Sequence, residues 1–132
     1  MKAKIYCDGA SRGNPGDAGI GCLIILDNKK IEISEYIGKT TNNVAEYTAL
    51  IRGLEEALKE RAEEIEIISD SELLVRQING IYKVKNTKLI PLYERVKELL
   101  NKFKKYQIFH VYRENNFIAD SLAKEASCKQ QK

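Results

Sequence analysis

The chain has 132 residues, 43% of them hydrophobic and 31% charged, with a formal net charge of +3. These values are typical of a soluble globular protein and exclude a disordered chain, and the length favours one domain over residues 1–132 with a frayed tail from about residue 128. The sequence has no signal peptide and no apolar run near about 18 residues, so we expect a cytoplasmic monomer without membrane contact. Its three cysteines, Cys7, Cys22 and Cys128, lack paired spacing, so we expect reduced thiols.

The first third of the chain has the pattern of three β-strands joined by short turns. Polar and apolar residues alternate over 2–8, an apolar run follows at 18–26, and alternation returns over 30–37. Asp27-Asn28 marks the second turn. We therefore predict an antiparallel meander.

The apolar period changes after residue 42. Apolar residues recur at helical spacing from Tyr47 to Leu58, which predicts an amphipathic helix that begins near Asn42 or Asn43. The remaining elements are a strand at 64–69, a helix at 71–79 that stops at Gly80, a polar connector at 83–88, a helix at 89–103, a strand at 107–111 and a last helix capped by Asn115 or Asn116. Strands joined through helices run parallel. We predict an α/β fold with a five-stranded mixed sheet, three antiparallel hairpin strands plus two parallel strands, flanked by helices.

Charge is unevenly distributed in the second half of the chain. Residues 55–72 carry eight acids and two bases, whereas residues 83–105 carry eight bases and two acids. The default interpretation is two solvated helix surfaces, and the alternative is a basic flank that meets a polyanion.

The segment CDGASRGNPGDAGIG, residues 7–21, raises the question of a phosphate-binding loop. A Walker A loop and a dinucleotide-binding fingerprint both need a helix after their glycines. Here Gly19 and Gly21 lead into a strand, so both motifs fail. The Asn-Pro-Gly sequence favours a tight hairpin turn instead.

Four carboxylates share a setting at strand ends and helix starts. Asp8 ends the first predicted strand, Asp70 follows the fourth, and Glu46 and Asp120 lie in about the first turn of their helices. Each taken singly is best explained as a turn or cap residue. Together they could converge, and converging carboxylates repel unless a cation lies among them. Oxygen ligands favour Mg²⁺ or Mn²⁺, and two such ions are the usual apparatus of phosphodiester hydrolysis.

Four blocks in order resemble the ribonuclease H family of type 1: YCDGASRGNPGDAGIG, TTNNVAEYTALIRGLEEAL, IISDSELLVRQINGIYKVKN and VYRENNFIADSLAKEA. The resemblance covers nearly the whole chain and implies that family's catalytic domain and fold. It implies endonucleolytic cleavage of the RNA strand of an RNA/DNA hybrid, with 5′-phosphate and 3′-hydroxyl products. Asp8, Glu46, Asp70 and Asp120 match the four acids that bind two Mg²⁺ or Mn²⁺ ions in the family. The hybrid would be read by shape and 2′-hydroxyls.

The resemblance also implies substrate contacts, each of which has an ordinary alternative as a solvated or capping residue. Positions near the minor groove and the RNA are Gly9, Ser11, Arg12, Asn14, Asn42, Asn43 and Ser71. A pocket for a phosphate of the DNA strand would be formed by Lys39, Thr41 and Asn86.

The chain departs from the family pattern in two places. Many members have a histidine in the loop before the last acid, but residues 111–116 contain none, and His110 lies in a predicted strand, where we interpret it as structural. Arg113 is the best replacement, as a phosphate contact and not a base, with a plain surface charge as an equal alternative. Residues 80–88 leave little room for the basic protrusion of some members, so affinity should depend on the general basic flank and fall steeply with salt.

Two other functions remain open on the sequence. The scaffold could be a non-catalytic module that binds RNA or hybrids, although a phosphate-binding surface gains nothing from four clustered acids. It could also be a related nuclease that cuts double-stranded RNA as well.

Overall fold

We describe residues 1–129 of the protein from a computed structural model. The strands are β1 (Lys2–Gly13), β2 (Gly16–Ile25), β3 (Lys30–Thr40), β4 (Glu64–Ser69) and β5 (Lys105–His110). The helices are α1 (Asn42–Lys59), α2 (Glu72–Ile78), α3 (Ile90–Leu100) and α4 (Phe117–Ser127), and a 3₁₀ turn (Arg113–Asn116) precedes α4. The expected fraying of the tail concerns residues 130–132 as well, which lie outside the described residues.

The five strands form one mixed sheet in the order β3-β2-β1-β4-β5. β1 pairs antiparallel with β2 and parallel with β4, β2 pairs antiparallel with β3, and β4 pairs parallel with β5. The predicted fold class is therefore confirmed. Among residues 1–129, no helix combines the length and the apolar character that crossing a membrane requires. The three cysteines are free thiols.

The first hairpin is longer than the sequence pattern predicts. β1 continues through the glycine-rich segment to Gly13, which pairs with Gly16 across a turn of only two residues, Asn14 and Pro15. Gly13 has a φ of 114°, and a Cβ on Gly16 would lie 2.3 Å from the carbonyl oxygen of Arg12. Glycine is needed at both positions. Residues that look like a loop thus extend the β1–β2 ladder.

Some element boundaries match the sequence interpretation and others differ. α1 begins at Asn42, as predicted, and is capped by Thr41, whose Oγ1 accepts a hydrogen bond from the Val44 amide at 3.3 Å. Ser71 caps α2 in the same way, and Gly80, with a φ of 79°, follows its end as predicted. The helix predicted at 89–103 ends at Leu100, and the strand predicted at 107–111 begins at Lys105 and ends at His110.

The hydrophobic core lies between the sheet and helices α1, α2 and α3. It contains the alternating residues of β1 and β4 together with the apolar faces of the helices: Ala3, Ile5, Cys7, Ile65, Ile67, Leu50, Leu54, Leu74, Ile78, Val96, Leu99 and Leu100. α4 packs on β1, β2 and β3. The sheet is therefore held between α1 on one face and α4 on the other, and both helices can carry side chains to the same edge.

Candidate active site

Two of the predicted acids are placed by the parallel pairing of β1 with β4. The last paired residues of these strands are Cys7 and Ser69, and Asp8 and Asp70 follow them directly. Asp8 does not end its strand, as the sequence predicts, but continues in the β1–β2 ladder opposite Gly21. Because the two strands are parallel neighbours, both carboxylates lie at one edge of the β1–β4 pair.

The other two acids are carried by helices that approach the sheet at glycines. A Cβ on Gly9 would lie 2.3 Å from the carbonyl carbon of Ala45, the residue before Glu46. A Cβ on Gly21 would lie 2.3 Å from the carbonyl oxygen of Ala119, the residue before Asp120. Only a residue without a side chain permits these approaches. These glycines therefore admit helix backbones, a role that the sequence alone did not reveal.

The side chains converge on a cavity of about 250 Å³. Carboxylate oxygens of Asp8, Glu46 and Asp70 lie within 4.8 Å of one another. Asp120 lies outside this group of three but is near enough to Asp8 to help raise the pKa of that carboxyl. The residues that line the cavity are Asp8, Gly9, Ala10, Ser11, Asn42, Glu46, Asp70, Arg113, Asp120 and Lys124.

Burial and mutual repulsion perturb the protonation of the acids. Burial, with the charge of Asp70 next in importance, raises the pKa of Asp8 far above its usual range. Burial also raises the pKa of Glu46 to about 7, although a hydrogen bond from the Ser71 hydroxyl opposes the shift. The pKa of Asp70 is raised by burial too, against the opposing effects of its hydrogen bond with Asp8 and of the Arg113 charge. Without a cation, these groups therefore resist simultaneous ionisation.

Two basic side chains border the acids. The Arg113 Nε lies 3.9 Å from Asp70 Oδ2, too far for a hydrogen bond but close enough for an ion pair. The Lys124 Nζ lies 3.2 Å from Asp120 Oδ2, one helical turn away. Lys124 was missed by sequence reasoning, although a lysine four residues after an acid on a predicted helix is a usable signal.

The tip of the first hairpin carries several of the residues expected to contact substrate. Asn14 and Asn42 are joined, because the backbone N–H of Asn42 donates a hydrogen bond to Asn14 Oδ1 at 3.0 Å. The exposed Arg12 donates from Nη1 to Cys128 Sγ at 3.0 Å, and the Ser11 hydroxyl donates to the carbonyl oxygen of Gly13. The hairpin tip is thus fixed to the start of α1 and to the end of α4.

The remaining expected contacts lie in two regions. Lys39, Thr41 and the exposed Asn43 lie at the junction of β3 with α1. Asn86 lies between α2 and α3, where its Oδ1 accepts from the Lys88 amide at 2.8 Å, and residues 79–89 form no helix. The exposed His110 ends β5 and meets Tyr112 edge-on, with ring centroids 6.0 Å apart.

Several known proteins resemble this chain in sequence and in fold. The family described as reverse transcriptase-like matches residues 6–126. The bifunctional protein Rv2228c of Mycobacterium tuberculosis is 43% identical over 129 residues, which are 96% of this chain and 35% of that protein. Its solved N-terminal RNase H domain has a TM-score of 0.93 and 41% identity, with 96% of this chain and 99% of that one covered.

Two further relatives carry ribonuclease H names. Ribonuclease HI of Halobacterium salinarum is 42% identical over 123 residues, which are 92% of this chain and 62% of that protein. LC11-RNase H1, solved in complex with an RNA/DNA hybrid, has a TM-score of 0.86 and 43% identity, with 94% of this chain and 95% of that one covered. This chain therefore spans only about a third of the mycobacterial relative and less than two thirds of the archaeal one. By the family match, these relatives and the shared fold, the chain belongs to the ribonuclease H family of type 1.

Proposed function

We propose that this protein hydrolyses the RNA strand of RNA/DNA hybrids with the help of divalent cations. The observation that carries the proposal is the group of three carboxylates that lie within 4.8 Å of one another and line one cavity. Because the chain belongs to the ribonuclease H family, we interpret these three carboxylates as part of a site for divalent cations. The solved relative that binds an RNA/DNA hybrid supports the choice of substrate.

The donor atoms fit a hard divalent cation. All are carboxylate oxygens, which Mg²⁺ and Mn²⁺ prefer. Asp70 Oδ2 is buried and has no hydrogen-bond partner among the described residues. The nearest cationic atom described, Arg113 Nε, is 3.9 Å away, so a metal ion bound directly to this oxygen would compensate its burial better. We assign Asp8, Glu46, Asp70 and Asp120 as the ligands of two Mg²⁺ or Mn²⁺ ions.

Held by these four carboxylates, such ions would supply an activated water for in-line attack and stabilisation of the leaving 3′ oxygen, and the products would have 5′-phosphate and 3′-hydroxyl ends. The protein holds the four carboxylates in place before substrate arrives, because their strands and helices are fixed by packing. Arg113 lines the same cavity, and a guanidinium is not a base near neutral pH, so its role is to contact a phosphate and not to transfer a proton.

The hybrid would be gripped by residues on both sides of this cavity. On the RNA side we assign the hairpin tip and the helix starts, namely Gly9, Ser11, Arg12, Asn14, Asn42, Asn43 and Ser71. For the DNA strand we assign Lys39, Thr41 and Asn86 as the phosphate contacts. Such contacts read backbone shape and 2′-hydroxyls, so that cleavage should depend little on base sequence.

The test compares four labelled substrates of one sequence under one condition: an RNA/DNA hybrid, double-stranded RNA, single-stranded RNA and DNA. With Mg²⁺ or Mn²⁺ we expect fragments only from the RNA of the hybrid. Asp8→Asn should lower the rate by at least about a thousandfold, since a removed charge at such a centre costs several kcal/mol. Thermal unfolding of the variant should remain cooperative.

Asp27→Asn is the matched control, because Asp27 is an exposed acid in the turn after β2, outside the cavity. It should cleave like the wild type. Intact RNA at every metal and pH tried, with tight hybrid binding, would favour the non-catalytic module instead. Comparable cutting of double-stranded RNA would favour the broader nuclease.

A further inference from the structure

A buried amide connects the start of α4 to the strand that carries Asp8. The Asn116 Nδ2 donates a hydrogen bond of 2.9 Å to the carbonyl oxygen of Cys7, and Asn116 is 1% exposed. Cys7 immediately precedes Asp8, and Asn116 lies one helical turn before Asp120. The bond therefore joins the backbone beside one acid to the helix start that carries the other.

The Asn116 side chain does not cap α4, although its position suggests that role. Asn116 stands at the N-cap of α4 but makes no side-chain capping hydrogen bond. Its Oδ1 is buried and lacks a hydrogen-bond partner within residues 1–129, a condition shared there only with Asp70 Oδ2 among buried side-chain oxygens and nitrogens. A half-satisfied buried amide contributes little to stability, so the contact that this side chain does make, with the Cys7 carbonyl, is the one to explain.

The glycine contact alone does not fix Asp120. The approach of α4 to Gly21 sets how near the helix comes to the sheet. Such van der Waals contact is not directional, so it leaves the helix freer to slide along its axis or rotate about it. A hydrogen bond has preferred distances and angles, so it restricts both the slide of the helix along its axis and its rotation. Asn116 supplies that directional contact at the end of the helix where Asp120 lies.

We propose that Asn116 is a positioning residue for the metal centre, which sets the separation of Asp8 and Asp120 through its bond to the Cys7 carbonyl and so tunes the affinity for divalent cations. The proposal rests on the metal site of the proposed function. Groups that orient metal ligands in this way commonly change metal affinity about 10–100-fold when removed. Asn116 itself is not a ligand or a substrate contact.

The experiment measures metal binding in the protein without nucleic acid. The shift in melting temperature is titrated with MnCl₂ or MgCl₂ for the wild type, Asn116→Ala and Asn115→Ala. Asn115 is the control because it is the exposed neighbour in the same 3₁₀ turn. We expect the half-saturating metal concentration to rise at least about tenfold for Asn116→Ala and to stay unchanged for Asn115→Ala. In cleavage assays, the loss for Asn116→Ala should be recovered at high metal, with KM for the hybrid unchanged.

A double variant separates positioning from general loosening of the fold. In an Asp120→Asn background there is no carboxylate to position, so adding Asn116→Ala should change the metal midpoint little more. Asn116→Ser, a smaller change, serves if the alanine variant does not fold, and it should give a midpoint shift of the same sign. Equal midpoints for wild type and a folded Asn116 variant would overturn the proposal, as would a full further shift in the Asp120→Asn background. A wild type that shows neither a metal-induced shift nor cleavage would instead overturn the proposed function.

Discussion

The strand-borne acids, Asp8 within β1 and Asp70 directly after β4, and the helix-borne acids, Glu46 on α1 and Asp120 on α4, reach the same cavity by different means. Asp8 and Asp70 are placed by the backbone ladder of β1 with β4, whose register is fixed one residue before them. Glu46 and Asp120 depend on how closely α1 and α4 approach the sheet at glycines. The positions of Asp8 and Asp70 are therefore as stable as the sheet itself. Helix-borne acids can be displaced by single changes far from them in sequence.

The largest expected effect comes from filling the space under α4. In Gly21→Ala the new Cβ would lie 2.3 Å from the Ala119 carbonyl oxygen and 2.5 Å from the Ala123 amide nitrogen. Both are backbone atoms, so the whole helix must shift. We expect the free energy of unfolding to fall by about 3 kcal/mol, measured by urea denaturation. Cleavage should fall further than stability predicts, because Asp120 moves with the helix.

Gly38→Ala is the control for this change. Gly38 has a φ of 88°, but within residues 1–129 no atom beyond its chain neighbours lies within 4 Å of the position that a Cβ would take. Its cost is therefore backbone strain of about 1 kcal/mol, without displacement of a helix. If Gly21→Ala and Gly38→Ala lose stability equally and retain the same cleavage rate per folded molecule, the distinction between strand-borne and helix-borne acids is wrong.

The sequence predicts this architecture in outline because its periodicities are strong and its four acids stand in recognisable blocks. It does not predict the contacts that a residue makes with distant parts of the chain. The glycines of the hairpin look like a loop, yet Gly13 and Gly16 pair in the ladder. Asn116 looks like a helix cap, yet its amide binds a carbonyl 109 residues away. Such partners are chosen by the folded arrangement, and no local pattern identifies them.

The second effect is a pH dependence of stability that belongs mainly to the strand-borne acids. The pKa values of Asp8 and Asp70 are raised in the folded protein, and that of Glu46 is raised to about 7. The folded state then binds more protons than the unfolded chain, whose acids titrate near pH 4. Stability in EDTA should therefore fall as the pH rises from about 4 through 7 and beyond.

Calorimetry across this range checks the sign of the dependence. At pH 8 in EDTA, Asp8→Asn should melt above the wild type by roughly 4 °C, because burial of the Asp8 carboxyl, whose pKa is raised in the folded state, is costly at that pH and an amide avoids this cost. Saturating Mg²⁺ should reverse the order, since only the wild type retains the full ligand set. Asp27→Asn should follow the wild type in both conditions. A wild-type melting temperature that rises from pH 5 to pH 8 in EDTA would contradict the proposed repulsion.

The smallest effect on stability is expected at Arg113, whose side chain is 72% exposed. An exposed ion pair contributes little, so Arg113→Ala should change the free energy of unfolding by less than about 0.5 kcal/mol. Loss of a charge-assisted phosphate contact should nevertheless lower kcat/KM about tenfold. Arg113→Lys should recover part of this loss, because it keeps the charge but not the forked geometry.

The pH profile of cleavage decides what Arg113 does. Because a guanidinium does not titrate near neutral pH, Arg113→Ala should lower the whole profile without changing its shape. Arg76→Ala is the control, since Arg76 pairs with Glu72 on α2, outside the cavity. Its kcat/KM should match the wild type. An altered slope of the profile in Arg113→Ala would mean that Arg113 sets the protonation of Asp70 and Glu46, whose pKa values its charge lowers, and not only the grip on phosphate.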